Sequence, residues 1–532
     1  MIYSFKQNVI PEVKLLKRVS ILNHVIGPVM RGPSSSHTAG PWRIGRMARE
    51  LLGARPVLAR FYFHPSSSLA VCYHDQGSDR AFIAGLLEIP LTSSDFECML
   101  EHAPLLGLDA RFELHPFPEA DHPNSSLLIL TGENGKEITL HSRSVGGGSF
   151  EIASLNGYPV SITGENFETL IETSSGSDSS VLSIFGERAS SSRIHHTNKG
   201  VLFHLSTSSP VEPVMLDTLA ALPGTVRLFS APPVMHPLGG DMLFSSAEEA
   251  IIMAERDGLT LGEAALRYEA VLLGRDESSI LSEMEERLEI MLNAVHLGLS
   301  GDFSPMKLLL PVAGTLAAAE RKGALFLGGP HARAAIRSMA ALHTNASGGV
   351  VCAAPTGGAA GVLPGVLTTL TEDLKISRKA VLMALWAAGG IGLFHDIRST
   401  FAAEVAGCQV EIGAAGAMAA AAVVEAAGGS ARQGCDAAAT VFQNMMGSVC
   451  DLVQGVVEIP CHSRNAALAS QAFLCADLVL GGYRSPVPLD ETIDAVDSTG
   501  RMLPEELRCT SRGGLALCPS AQRLPRLDKK IS

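Results

Sequence analysis

Cys408, Cys450 and Cys461 stand in the last third of the chain, in AEVAGCQVEIG, MMGSVCDLVQG and EIPCHSRNA. Three thiols that meet at one point suit an iron–sulfur centre. A [4Fe–4S] cube ordinarily takes four thiolates, so a protein that supplies three leaves one iron free as a Lewis acid for a substrate hydroxyl. Gly455 and Pro460 lie between Cys450 and Cys461 and let the chain turn back, while Cys408 arrives from a separate element. Dispersed ligands of this kind differ from the short C-x-x-C runs of ferredoxins. Two other readings use the same residues. Free thiols are commonly buried as small apolar fillers, and His462 would complete a structural Cys₃His zinc set.

Gly32-Pro33-Ser34-Ser35-Ser36-His37-Thr38 forms a second constellation. The hydroxyls of Ser34, Ser35, Ser36 and Thr38, set before an expected helix, offer donors beside free helix amides, a ready site for a carboxylate. His37 titrates near neutrality and suits removal of the α-hydrogen of an amino acid. The alternative is a hydroxyl-rich helix cap with a surface histidine. A serine-hydrolase reading is weaker, because no G-x-S-x-G elbow accompanies Ser36 and His37.

GCQVEIGAAGAMAAAA, CDLVQGVVEIPCHSRNA and CAAPTGGAAGVLPG resemble the α-type catalytic region of bacterial iron–sulfur L-serine dehydratases, and GPVMRGPSSSHTAGPWRIGR resembles the β-type region of the same enzymes. The resemblance covers about residues 22–160 and 237–522, with both regions fused in one chain. It implies that Cys408, Cys450 and Cys461 hold a [4Fe–4S] cluster and that L-serine is converted to pyruvate and ammonia without pyridoxal phosphate. It further implies a substrate border at Thr356, Gly357 and Gly358, and a cleft lined by His122 and Asn124. Arg464 and Asn465 are expected to pair with a carboxylate or with cluster sulfide. Ser144–Gly148 matches another family motif and reads as a structural turn, since it lacks the full G-x-G-x-x-G pattern.

The chain departs from the family in three places. Gln76 stands where a histidine is usual, with His74 two positions away. The run FHDIRSTFAAEVAGC is bulkier than the small-residue segment expected there. No cysteine closes the C-terminus, where some relatives use one to cover the open iron; Cys509 and Cys518 are the nearest in sequence and read as packing. Two readings from other classes draw on the same features: an inactive, amino-acid-responsive regulator, and a zinc-stabilised helical protein.

At ~150 residues per domain, a chain of 532 residues suggests three or four domains. The net charge of −13 argues against a nucleic-acid partner, and L-serine is the expected small-molecule partner. Ten irregularly spaced cysteines read as reduced thiols, which makes the cytoplasm the expected location. The first twenty residues lack the apolar core of a signal peptide. KAVLMALWAAGGIGLF and AAGAMAAAAVV are shorter than the ~20 residues of a membrane span, so they read as buried helices and no membrane partner is expected. A homodimer is compatible with all of this.

The pattern predicts a multidomain α+β protein. Residues 1–165 read as an α/β sandwich with a helix at 40–52, strands at 57–63 and 69–73, a helix after Ser78, and hairpins turning at Glu133-Asn134-Gly135 and Asn156-Gly157. Residues 166–236 read βαββαβ, a ferredoxin-like ACT-type domain whose usual glycine-containing ligand loop is replaced by SSGSDSSV. His195, His196 and His204 there read as polar surface. Residues 237–532 read as an all-α catalytic domain, with capping boxes at Ser246/Glu249 and Thr260/Glu263. Ile280, Met284, Leu288, Leu292 and Val295 form an inward stripe, with Glu285, Glu286 and Glu289 outside.

Overall fold

Strand Pro56–Phe63 lies second in a six-stranded sheet ordered Asp109–Leu114, Pro56–Phe63, Ser125–Gly132, Glu137–Gly146, Ser149–Leu155 and Tyr158–Ile162. Only its first pair is parallel. This is a computed structural model, and it describes residues 17–528 apart from 175–180, 182, 185–190, 198–199 and 304. Asn156 at φ 53° and Gly157 at φ 85° supply the two positive dihedrals of the second hairpin turn, as their sequence demands. Helices Ala39–Leu52 and Ser78–Leu86 pack on each other and contribute to the same core as the strands. The expected strand at 69–73 is instead the helix Ser68–Cys72, started by Ser67, whose hydroxyl accepts from the Ala70 amide at 3.1 Å.

A four-stranded antiparallel sheet follows, ordered Thr225–Ala231, Phe167–Thr173, Gly200–Thr207 and Ser191–Thr197. That is the order expected when βαββαβ folds as a split unit. The helix read at SSVLSIFG and the loop SSGSDSSV fall largely outside the described residues. One sheet face packs Ile171, Phe203 and Leu205 on Leu219, while Leu170, Leu202 and Phe229 on the other join the core of the six-stranded sheet. Both faces are therefore covered. His204 is buried as a result, 2.9 Å from Glu168, and is not the surface residue its sequence suggested. His195 and His196 do lie on the outer strand Ser191–Thr197, half-buried and exposed.

Beyond residue 237 the described residues are helical except for Val350–Cys352. Thr260 and Glu263 form the reciprocal capping box, but Glu249 reaches one residue further than expected, to the Ser245 amide at 2.7 Å. Helix Glu277–Ser300 buries the expected stripe. At the centre, Arg378–Arg398 packs against Ile412–Ala426. The spans Arg378–Arg398 and Cys408–Ala426 are long and apolar enough to cross a membrane by length and composition, and both are mostly buried inside the fold, as expected for core helices. Val19, Ile21, Leu22, Val25 and Ile26 lie in this helical core rather than with the sheet that follows them in sequence. Gly392 permits the approach, since a Cβ there would sit 2.1 Å from Val25. Val29–Arg31 then pairs antiparallel with Val350–Cys352, delivering the segment 32–38 to the seam between sheet and helices.

Candidate active site

The three cysteines come from three local structures. Cys408 opens a short turn ahead of the Ile412–Ala426 helix, Cys450 lies in an extended stretch and Cys461 begins the Cys461–Leu480 helix. All are at most 2% exposed. The ligand atoms of Cys408, Glu411 and Cys450 lie within 4.8 Å of one another, a group able to hold a metal ion. The Cys408 thiol is pushed well above its ordinary range by its contact with Cys450 and by burial. Burial does the same to Cys461, with the Cys408 charge adding to it. The Cys408 contact lowers Cys450, but Cys509 and burial leave it well above its ordinary value. A cation entering this dry pocket would displace those protons, so the donor set fits a thiolate-bound metal group. Arg464 faces the group, with Nη1 3.6 Å from the Cys408 sulfur and Nη2 donating to Asp451 at 3.0 Å.

Across from the thiols lies the loop that carries His37. His37 is fully buried, with Nδ1 3.1 Å from the Ser34 hydroxyl and 3.8 Å from Glu404, and Nε2 3.5 Å from the Ser68 hydroxyl. Burial lowers its pKa while Glu404 raises it, and the net direction is down. The imidazole is therefore neutral at physiological pH, the form that can accept a proton. Two loops are stapled here: the Gly357 amide donates to Ser35 at 3.1 Å, and Asn345 donates to both Pro33 and Gly357 carbonyls. Thr356 donates to Glu411 at 2.7 Å. Gly358 makes room for that carboxyl, because a Cβ there would come within 2.6 Å of it. Burial raises Glu411 to about 7.

Several expected site residues turn out to be braces. Both amide protons of Asn465 are committed, to the Gly358 and Cys461 carbonyls, so Asn465 ties the two loops instead of offering donors to a substrate. The Thr38 hydroxyl donates to the Ser34 carbonyl at 2.6 Å, and Ser144 fastens the Ser36 carbonyl at 2.7 Å. His462 points its Nδ1 at the Glu458 carbonyl and packs its ring 5.1 Å from that of His343, outside the thiol group, which removes it from a Cys₃His set. Gln76, at the usual histidine position, is buried and donates to the Gly455 carbonyl at 2.7 Å, bracing the loop between two of the cysteines, while His74 is solvent-exposed beside Asp79. His122 lines the cavity beside Glu404, with its pKa lowered by burial, whereas Asn124 is 1% exposed and is not among the lining residues.

Sequence reasoning passed over four residues. Glu404 and Glu411 flank Cys408 within AEVAGCQVEIG but were given no role there, and Ser68 lies outside the motifs quoted above. Cys509 is the fourth: its amide donates to the Cys450 carbonyl at 2.8 Å and its thiol interacts with that of Cys450, so it is part of the thiol group and not ordinary packing. Cys518 lies apart, against Leu308, Val453 and Ala521. A cavity of about 250 Å³ opens beside His37, lined by Ser66, Ser67, Ser68, His122, Glu404 and Arg508.

A thiol and carboxyl group able to hold a metal ion, facing a neutral histidine across a seam, is the layout of an enzyme that works on a small polar molecule. Comparison with known proteins gives that class a family. The serine dehydratase alpha chain family profile matches residues 256–516. A probable L-serine dehydratase alpha chain from Bacillus subtilis is 37% identical over 289 residues, 54% of this chain and 95% of that protein. An L-serine dehydratase alpha chain from Peptoniphilus asaccharolyticus is 33% identical over 285 residues, covering 53% and 98%. The L-serine dehydratase of Streptomyces coelicolor is 28% identical over 499 residues, 91% of this chain and 96% of that protein. The chain belongs to the serine dehydratase family.

Proposed function

We propose that this protein is an L-serine dehydratase that eliminates water from L-serine to give pyruvate and ammonia, with a [4Fe–4S] cluster held by Cys408, Cys450 and Cys461. The observation that carries the reading is the meeting of buried thiols and Glu411 with the neutral His37 at one seam. The names of the relatives support the substrate. The cluster would supply a Lewis-acidic iron for the serine β-hydroxyl.

His37 takes the α-proton, its ring held by Ser34 on one nitrogen and Ser68 on the other. Glu411, poised near neutrality, gives a proton to the departing hydroxyl, so that water leaves. The product is 2-aminoacrylate, which tautomerises to the imine and takes up water to release ammonia and pyruvate. Arg464 keeps positive charge beside Cys408 and favours its thiolate. The unit from Phe167 to Ala231 is read as an ACT-type regulatory domain, and the cytoplasm as the location.

The test is anaerobic purification with iron and sulfide analysis, followed by a pyruvate assay on L-serine. About four irons per chain and pyruvate formation are expected. A protein that stays colourless after reconstitution and yields no pyruvate overturns the reading.

A further inference from the structure

Glu404 is a buried carboxylate without a hydrogen-bond donor among the described residues. Its side chain is 4% exposed, and among the described residues its one ionic neighbour is His37, with Nδ1 3.8 Å away and already within reach of Ser34 at 3.1 Å. The neutral imidazole brings no charge to offset it. The other buried acids among the described residues each accept at least one hydrogen bond. Glu269 accepts from Ser20 and from the Ile21 and Leu22 amides, and Glu458 accepts from three successive amides at 307–309. Asp451 accepts from Arg464 and the Leu515 amide. A carboxylate can only accept, and burying one unpaired is costly. An acid left open in this way calls for a cationic donor from outside the chain.

Its surroundings give that donor a size and a shape. Glu404 lines the 250 Å³ cavity beside His37 together with Ser68, His122, Arg508 and Thr510. No lysine or arginine lies within ion-pairing distance of Glu404 among the described residues. A compact cationic N–H donor meets these conditions by bringing both protons and the offsetting charge, whereas a carboxylate brings neither and a neutral hydroxyl brings no charge.

We propose that Glu404 binds the α-ammonium group of the substrate and so restricts the enzyme to α-amino acids over the corresponding deamino acids. The assignment rests on the serine dehydratase reading above. It places the ammonium close to the base, since Glu404 lies 3.8 Å from His37.

The test compares D-serine with 3-hydroxypropanoate, which keeps the carboxylate and β-hydroxyl but lacks the ammonium, by calorimetry on cluster-loaded protein and by inhibition of pyruvate formation. In the wild type D-serine should bind ~10–100-fold more tightly, the range for a hydrogen bond to a charged group. Glu404→Gln should lose that preference, keep its affinity for 3-hydroxypropanoate and keep its iron content and visible spectrum. Glu404→Asp should restore part of the preference. Equal binding of the two compounds by the wild type, or an undiminished preference in a folded Glu404→Gln protein, overturns the proposal. Should that variant fail to fold, the wild-type ratio alone decides. Failure of the underlying reading looks different: iron-loaded wild type that makes no pyruvate from L-serine.

Discussion

Gly357→Ala tests whether the two stapled loops set the catalytic geometry. A Cβ on Gly357 would lie 2.8 Å from the Ser35 nitrogen, 2.9 Å from the Pro33 oxygen and 3.1 Å from the Ser34 carbonyl carbon, all of them backbone atoms. Ordinary contact begins at 3.4 Å, so the 32–38 loop must retreat by about half an ångström or more. No rotamer change can absorb this. The retreat lengthens the Gly357–Ser35 hydrogen bond, now 3.1 Å, and draws His37 away from Glu411 and the thiols. Overpacking of this kind costs about 1–3 kcal/mol of stability, and a displacement approaching 1 Å costs ~10²-fold in rate. The expected result is a folded, iron-containing enzyme whose kcat on L-serine falls by about two decades with a small rise in KM. Measuring kcat, iron content and Tm together checks it. Wild-type turnover in the alanine variant would show that the seam does not position His37.

Replacing Cys408, Cys450 or Cys461 by serine should abolish iron retention, whereas Cys98→Ser and Cys352→Ser should leave the visible spectrum unchanged. His37→Ala should keep the spectrum while pyruvate formation drops by ~10²–10⁴, and because burial lowers the pKa of His37, the acidic limb of wild-type kcat/KM should fall below the ordinary imidazole value. His343 and His395 are both held near 4 by burial, against 6.5 when unfolded. Their folded pKa values are depressed, so the unfolded chain binds more protons and stability is lost as pH falls from 6.5 towards 4, by up to ~3 kcal/mol for each. Tm should therefore drop across that window, and a curve flat between pH 6.5 and 5 would contradict it. Arg464→Met should weaken iron binding more than it lowers Tm, since it removes the positive charge beside Cys408 and leaves Asp451 only its amide donor; iron content after dialysis against a chelator reports this.

The thiols, the His37 loop and the all-α nature of the C-terminal half were legible because each rests on local pattern: cysteines in glycine-bounded runs, hydroxyls before a helix, stripes at helical spacing. Glu404, Ser68 and Cys509 were not, because each gains its place through contacts across hundreds of residues, such as Ser68 with the Cys509 carbonyl at 3.4 Å. LAVCY was misread as a strand because five apolar residues in a row carry no period; the one clue was the capping hydroxyl of Ser67. His204 looked like surface because alternation along one strand cannot reveal that a second sheet covers its outer face. Asn465 was read as a substrate contact from its place after the cysteine, yet sequence carries no sign that Gly358 and Cys461 already claim its protons.

The crossing of residues 17–38 from helical core to sheet means that one polypeptide supplies both walls of the site. Where an alpha chain is a separate protein, as its length match to half of this chain suggests for the Bacillus subtilis relative, a complete site of this kind would depend on an encounter between chains. Here the crossing segment is itself folded into the helical core, so both walls come from the same polypeptide and are made in equal number whenever the chain is translated.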